Sequence, residues 1–315
     1  EDLFKMKNII PFNVPFISGE ELKNFKKTLK EKHFSGRGYF TKKCEKFLSK
    51  KYSRYSLLTT SCTHALETIA FILNLKKGDE IILPSYTFVS TANAFAIRGA
   101  KIIFADTNYH NPCVSAEDIL KKITKRTKAV CVVHYAGISC DIKKIAKICK
   151  MKNIRLIEDC AHAFDAFGFG KRLGTFGDFS TLSFHATKNI ISGEGGALII
   201  KKKTDFIKAQ IIIEKGTNRF KFINGKIKKY SWVSEGSSYV LSEINSSFLN
   251  AQLKICNLIK KKRIKIFNFY HEKLLKISKK NYFKLPHIPS YSKLNGHIFF
   301  ILLNNKKDLE NLKEF

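Results

Sequence analysis

The sequence has no apolar run near the roughly 18 residues that a bilayer-spanning helix needs. Its eight cysteines form no CxxC pair, and no paired-histidine spacing such as HExxH occurs. Zinc ribbons, thioredoxin-like redox motifs and helical metal sites are therefore disfavoured. There is no internal repeat and no low-complexity linker. The charged stretch Glu1 to Lys7 lacks an apolar signal segment, so the expected location is cytoplasmic. Glu1–Lys5 read as extra residues ahead of a start at Met6.

Acidic residues are also scarce: 26 Asp and Glu face 57 Lys and Arg, a formal net charge of +31. Such a surplus can serve nucleic acid or an anionic membrane. Here it is mostly lysine and is spread along the whole chain, whereas base readers lean on arginine for bidentate contacts. The local runs Lys201–Lys203, Lys226–Lys229 and Lys260–Arg263 read as solvated faces or loops. The expectation is no nucleic-acid partner and no membrane partner.

What is present is the composition of a globular protein, with 44% hydrophobic, 12% aromatic and 26% charged residues. At about 150 residues per domain, 315 residues suggest two. A chain this long buries a large core without disulfides. The scattered cysteines are then expected to be reduced and buried as small hydrophobes.

Short apolar runs alternate with amphipathic stretches through most of the chain. Tyr55–Thr60, Glu80–Pro84, Lys101–Asp106, Ala129–Tyr135 and Ile154–Asp159 read as strands. Thr63–Leu75, Phe88–Arg98, Ser115–Ile123 and Asp141–Met151 read as the helices between them. Ser115 with Asp118, and Thr63 with Glu67, fit helix starts. This alternation predicts α/β units and a largely parallel sheet. Phe179–Phe184 and Ala197–Lys201 read as further strands, separated by the Gly-rich segment Ser192–Gly196. A long helical pattern runs from Leu241 to about Ile277. Gly296–Leu303 reads as a strand of a second domain, and Asp308–Phe315 as the start of a helix.

In open α/β sheets, ligands sit beyond the carboxyl ends of the strands. Asp159 ends an apolar run there, and a half-buried carboxylate needs a partner. It is either a cap for the segment after it or the partner of a cofactor ring nitrogen. Lys188 follows a buried strand and precedes the Gly-rich loop, unlike the many surface lysines. A desolvated lysine has a lowered pKa and attacks carbonyls. A buried Asp and Lys on neighbouring strands suggest pyridoxal phosphate, which needs a Schiff-base lysine and an acidic partner for its pyridine nitrogen. Thr60-Ser61-Cys62-Thr63 lies between a strand and a helix, and serves either as an ordinary cap or as a phosphate site. Phe88 either stacks on a cofactor ring or belongs to the core.

These residues resemble a known family, the pyridoxal-phosphate sugar aminotransferases of the fold type shared with aspartate aminotransferase. The matching runs are Thr60–Leu66, Pro84–Asn93, Glu158–Ala163, Ser183–Asn189 and Gly193–Ala197. The resemblance implies that Lys188 forms the Schiff base and then acts as general base. It implies that Asp159 keeps the pyridine nitrogen protonated, that His162 sits near the ring hydroxyl, and that Phe88 covers the ring face. Ser61, Cys62, Thr63 and Ser183 would bind the phosphate. Ser238 stands where many members have an asparagine reaching the phosphate of the neighbouring subunit, which implies a homodimer with shared active sites. Sugar dehydratases of this fold carry histidine at the position of Lys188, so the lysine favours transamination.

Glu214–Arg219, Tyr230–Trp232 and Gly236–Tyr239 are similar to one branch of the family. That branch converts TDP-4-keto-6-deoxyglucose to TDP-4-amino-4,6-dideoxygalactose for enterobacterial common antigen, with glutamate as donor. The expected layout is a large cofactor-binding domain over residues 1–244 and a smaller α+β domain over 245–315. Family members continue several dozen residues past Phe315, so the small domain is expected to be incomplete. The alternatives are a non-catalytic homologue that binds cofactor or sugar nucleotide, and an aminotransferase for another keto-sugar nucleotide.

Overall fold

The computed structural model describes residues 11–108 and 110–314. The reading of Met6 as the start lies outside the described residues. Two amphipathic helices, α1 (Glu20–Glu31) and α2 (Tyr39–Tyr52), lead into the alternating region. There β1 (Tyr55–Thr59), α3 (Cys62–Ile72), β2 (Glu80–Pro84), α4 (Val89–Ala96), β3 (Lys101–Ala105) and α5 (Ala116–Lys122) follow one another. Next come β4 (Thr127–Val133), α6 (Ile142–Met151) and β5 (Arg155–Asp159). The short strands β6 (Phe167–Gly168) and β7 (Lys171–Arg172) precede β8 (Phe179–Ser183) and β9 (Gly196–Ile200).

Seven strands form one sheet in the order β1-β9-β8-β5-β4-β2-β3. β9 runs antiparallel to both its neighbours, and the pairings from β8 through β5, β4 and β2 to β3 are parallel. The central strands read as unbroken apolar runs because helices cover both faces. The core lies in two layers. Ile82, Val130, Val132 and Leu182 face one side of the sheet; Ile81, Leu83, Ala129 and Ile157 face the other. All eight cysteines are free, and seven are buried in the manner of small hydrophobes.

Beyond β9, α7 (Lys203–Ile213) and α8 (Arg219–Ile223) lead to α9 (Glu243–Lys254) and α10 (Cys256–Ser278). The single long helix expected from Leu241 is thus two helices. The break is at Ile255, whose φ of −104° and ψ of 11° leave the helical region. The chain ends with β10 (Phe283–Lys284), β11 (Ser292–Lys293), β12 (Leu302–Leu303) and α11 (Lys306–Glu314). The strand expected over Gly296–Leu303 shrinks to β12, which pairs only with β10. The reason is local. The carbonyls of Asn295 and His297 accept from the side chains of Asn189 (3.0 Å) and Arg263 (3.4 Å) instead of from a neighbouring strand.

Helix starts follow their caps. Ser115 Oγ accepts from Asp118 N at 3.3 Å, as its position predicts. The cap of α3 is not Thr63 but Ser61, which accepts from His64 N at 3.1 Å. Ser61 is extended (φ −158°) and so starts the helix two residues earlier, leaving Thr63 inside it with its hydroxyl donated to Ser90 at 2.9 Å. Glu67 accepts instead from the Tyr239 hydroxyl.

Candidate active site

The carboxyl ends of β1, β2, β4, β5 and β8 open onto a cleft of about 930 Å³. Eight of the nine residues singled out in the sequence line it: Ser61, Cys62, Thr63, Phe88, Asp159, His162, Ser183 and Lys188. They converge because each sits at or just past a strand end, where the backbone leaves the sheet on the same side. Ser238 does not line the cleft. It is exposed and pairs with Glu214 in an isolated bridge. Phe88 caps no packed layer; it is 72% exposed at the rim.

Asp159 closes β5 and is 4% exposed. Its Oδ2 accepts from the Thr91 hydroxyl at 2.9 Å, and its Oδ1 from Ala161 N at 3.0 Å. It therefore caps the turn that follows while standing in the cleft wall. Burial pushes its pKa up, against the pull of those two bonds and of Lys188 and His134. Thr91 is fixed in turn by a 2.8 Å contact with the Thr87 hydroxyl.

Lys188 lies in the excursion between β8 and β9. That excursion is a hairpin-like loop tied by Phe184 N to Gly195 O (2.8 Å) and Ala186 N to Gly193 O (2.8 Å). Burial lowers the pKa of Lys188, and Asp159 opposes the shift. The amine and the carboxylate are close enough to act on each other, and both carry displaced titrations, as functional sites commonly do.

His162 is held at about 3 by burial and by the charge of Lys188, and stays neutral. Its ring packs at 4.4 Å on His297 and at 4.9 Å on Tyr135. Sequence reasoning missed His297. Burial drives its pKa well down, and its Nδ1 contacts Asn189 Oδ1 at 2.9 Å. It also missed Arg263, Tyr86 and Tyr135, which line the same cleft. A histidine between apolar residues in a segment expected to be a strand carried no signal. Arg263 was hidden inside a basic run.

Glu158, the neighbour of Asp159, was likewise passed over. It is fully buried, and its two oxygens accept from Gly174 N (2.8 Å), Phe176 N (2.8 Å), Gly177 N (2.7 Å) and His134 Nε2 (3.0 Å). Although His134, Glu158 and Cys160 cluster closely, the carboxylate is saturated by these bonds. Its work is to pin the 174–177 turn under the end of β5.

The donor set suits a phosphorylated aldehyde. The first turn of α3 presents free backbone N–H groups, with the hydroxyls of Ser61, Thr63 and Ser183 beside it. Gly196 lets β9 pass close by: a Cβ there would stand 2.4 Å from Cys62 N and from the Ser61 carbonyl carbon. The amine of Lys188 and the carboxylate of Asp159 complete the requirements of pyridoxal phosphate. These residues fit the cofactor.

A large α/β domain with a mostly parallel seven-stranded sheet, and a lysine and an aspartate at its strand ends, define the aspartate-aminotransferase type of fold. Residues 15–315 match the model of the DegT/DnrJ/EryC1/StrS aminotransferase family, and the chain belongs to that family. Its cofactor is pyridoxal phosphate, and it is an aminotransferase. An uncharacterized protein of Methanocaldococcus jannaschii is 33% identical over 302 residues, covering 93% of this chain and 76% of that one. The GDP-perosamine synthase of Escherichia coli O157:H7 is 37% identical over 196 residues, 62% of this chain and 54% of its own. The aligned part is thus about half the length of that synthase. Among solved structures, the aminotransferase TlmJ of Streptoalloteichus hindustanus superposes with a TM-score of 0.87 at 26% identity, covering 94% of this chain and 79% of that one. PseC of Helicobacter pylori, an aminotransferase of pseudoaminic acid biosynthesis, does so with a TM-score of 0.85 at 27% identity, covering 96% of this chain and 80% of its own.

Proposed function

We propose that this chain moves the amino group of glutamate to the keto group of a nucleotide-linked keto sugar. The observation that carries the reading is the meeting of Lys188, Asp159 and the α3 N-terminus in one cleft. Pyridoxal phosphate, when bound, supplies an aldehyde that condenses with amines and a ring that draws electrons from the adjoining carbon. The residues of the chain do the rest. Asp159 holds a proton at the ring nitrogen, and Thr91 holds Asp159 in place. Burial lowers the pKa of Lys188, so its Nζ would be the amine that holds the cofactor and the base that moves a proton beside it. Ser61, Thr63 and Ser183, with the N–H groups of Cys62 and Thr63, hold the phosphate. His162, neutral throughout the physiological range, packs on Tyr135 and His297 in the cleft and would not compete for the ring proton.

For the acceptor, we infer a 4-keto-6-deoxyhexose carried on TDP, converted to the 4-amino-4,6-dideoxygalactose derivative. This inference rests on the resemblance of Glu214–Arg219 and Gly236–Tyr239 to the TDP-sugar branch. A GDP-linked acceptor is the second reading, favoured by the two matched GDP-perosamine synthases. Offering TDP- and GDP-4-keto-6-deoxyhexoses in parallel with glutamate tests the choice. Amination of the TDP sugar alone is the expected result; amination of the GDP sugar alone overturns the nucleotide assignment and keeps the class.

We also propose a homodimer whose subunits complete each other's cofactor sites, with Ser238 at the shared edge. The exposed Trp232 (77%) and its neighbours Tyr230 and Val233 lie on the same excursion. Residues 1–244 as cofactor domain and 245–315 as the smaller domain remain our reading of the division.

A further inference from the structure

Three loops of the site meet on one buried side chain. Asn295 lies between β11 and β12 and is 1% exposed. Its Nδ2 donates to the carbonyls of His162 and Phe164, both at 2.9 Å. Its Oδ1 accepts from His297 N at 3.2 Å, and its backbone carbonyl accepts from Asn189 Nδ2 at 3.0 Å. Asn189 Oδ1 then meets His297 Nδ1 at 2.9 Å. Because the amide nitrogen of Asn189 is the donor to Asn295, its oxygen is the acceptor, and His297 Nδ1 carries the proton. Asn295, Asn189 and His297 thus close a ring of hydrogen bonds. From a third side comes the loop after β4. At its Gly137 φ is +80°, and a Cβ would stand 2.3 Å from Asn295 Oδ1. Ser139 N of the same loop donates to Ser292 Oγ at 3.0 Å.

These bonds fall beside the reacting residues. His162 and Phe164 belong to the turn that Asp159 opens, in which Ala161 N donates to Asp159 Oδ1. Asn189 follows Lys188 directly. The loop after β4 carries Tyr135, whose ring packs on His162. Among the described residues, no hydrogen bond runs directly between segment 161–166 and segment 185–191. Their hydrogen-bonded link is Asn295. A buried amide with every polar atom paired admits one geometry, where an apolar side chain of the same size would admit several. A ligand held by Lys188 and Asp159 together needs a fixed spacing between them, since misplacement by about 1 Å costs on the order of a hundredfold in rate.

We propose that Asn295 is a positioning residue, which sets the Lys188 loop and the Asp159 turn in register for the cofactor. The inference rests on the aminotransferase reading, because the register matters only if one ligand bridges the two loops.

The test is hydrogen exchange of the cofactor-free protein, followed by mass spectrometry over segments 160–166 and 185–191. Parent, Asn295→Ala, Asn189→Ala and Asn24→Ala proteins are compared. Asn24, on α1 and outside the cleft, donates its buried amide to the Ser247 carbonyl at 2.9 Å, so its loss reports general destabilisation. Asn295→Ala is expected to speed exchange roughly tenfold in both segments, Asn189→Ala in 185–191 alone, and Asn24→Ala in neither. With cofactor added, the pH midpoint of the visible lysine-bound band should move by about half a unit in Asn295→Ala and stay put in Asn24→Ala. Faster exchange in one segment or none of Asn295→Ala, the same pattern from Asn24→Ala, or an unmoved midpoint in Asn295→Ala overturns the proposal. If Asn295→Ala does not fold, Asn189→Ala decides: faster exchange confined to 185–191 supports the link, and any other pattern overturns it. Failure of the aminotransferase reading has a different signature: the exchange pattern holds, but glutamate leaves the cofactor band of the unmodified protein unchanged.

Discussion

At the residue scale the site is built on displaced protonation. Asp159 is buried, so its folded-state pKa lies above the value of about 3.9 in the unfolded chain. A raised carboxylate binds protons more readily folded than unfolded, so its contribution to stability falls as pH rises from about 4. The cofactor-free Asp159→Asn protein is therefore expected to be more stable at pH 7 than its parent, by denaturant titration. The same substitution should cut the rate of amine exchange roughly a hundredfold or more, because it removes the anion that holds the ring proton. His162 gives the opposite sign. Its pKa falls to about 3, below the unfolded value of about 6.5, so folding stability is lost as pH drops through that window. His162→Asn should flatten part of the acid slope in a pH series of unfolding midpoints. His297, shifted in the same direction, adds to the same slope.

At the element scale, strand ends and helix starts do the positioning. Glu158 satisfies three backbone N–H groups of the 174–177 turn, so Glu158→Ala takes the carboxylate from those three donors and from His134 Nε2. A loss of about 3–5 kcal/mol is expected by urea unfolding. Gly196→Ala forces a Cβ to 2.4 Å from Cys62 N. It should weaken cofactor affinity at least tenfold, measured by fluorescence titration, because β9 must move away from the start of α3. This is also the scale at which the sequence was most legible. The alternation of apolar runs and amphipathic stretches located the strands of the large sheet within a residue or two, since buried parallel strands have no other way to read. The last seventy residues read less well, for two reasons. Ile255 breaks a helix without glycine or proline, and the carbonyls on either side of Gly296 bond to the side chains of Asn189 and Arg263, which no local pattern reports. The site divides the same way. Asp159 and Lys188 stand out because a charge at the end of an apolar strand is unusual. His297 and Arg263 enter the cleft only through tertiary contacts.

At the scale of the whole molecule, the net charge of +31 sits on a fold whose cleft contains few anions. Asp159 and Glu194 are the acidic residues lining it. Such a cleft favours acidic ligands, which suits both a dicarboxylic amino acid and a nucleotide-linked sugar. Steering of this kind is screened by salt. The apparent association rate of the sugar nucleotide should therefore fall severalfold between 20 and 300 mM salt, followed by stopped-flow, those concentrations bracketing roughly 20 to 6 Å of screening length. Sedimentation at micromolar concentration is expected to give twice the 36.1 kDa mass of the chain. A protein that sediments as a monomer yet binds cofactor fully would remove the shared-site arrangement.

The central claim is that Lys188 and Asp159 form one cofactor site that exchanges amino groups with glutamate. The most direct measurement is the absorbance spectrum of the purified chain with pyridoxal phosphate, beside Lys188→Ala, before and after glutamate. A visible band is predicted in the parent, bleached by glutamate, and absent from the variant. A parent band that glutamate leaves intact, or a variant that forms and loses the same band, would contradict it.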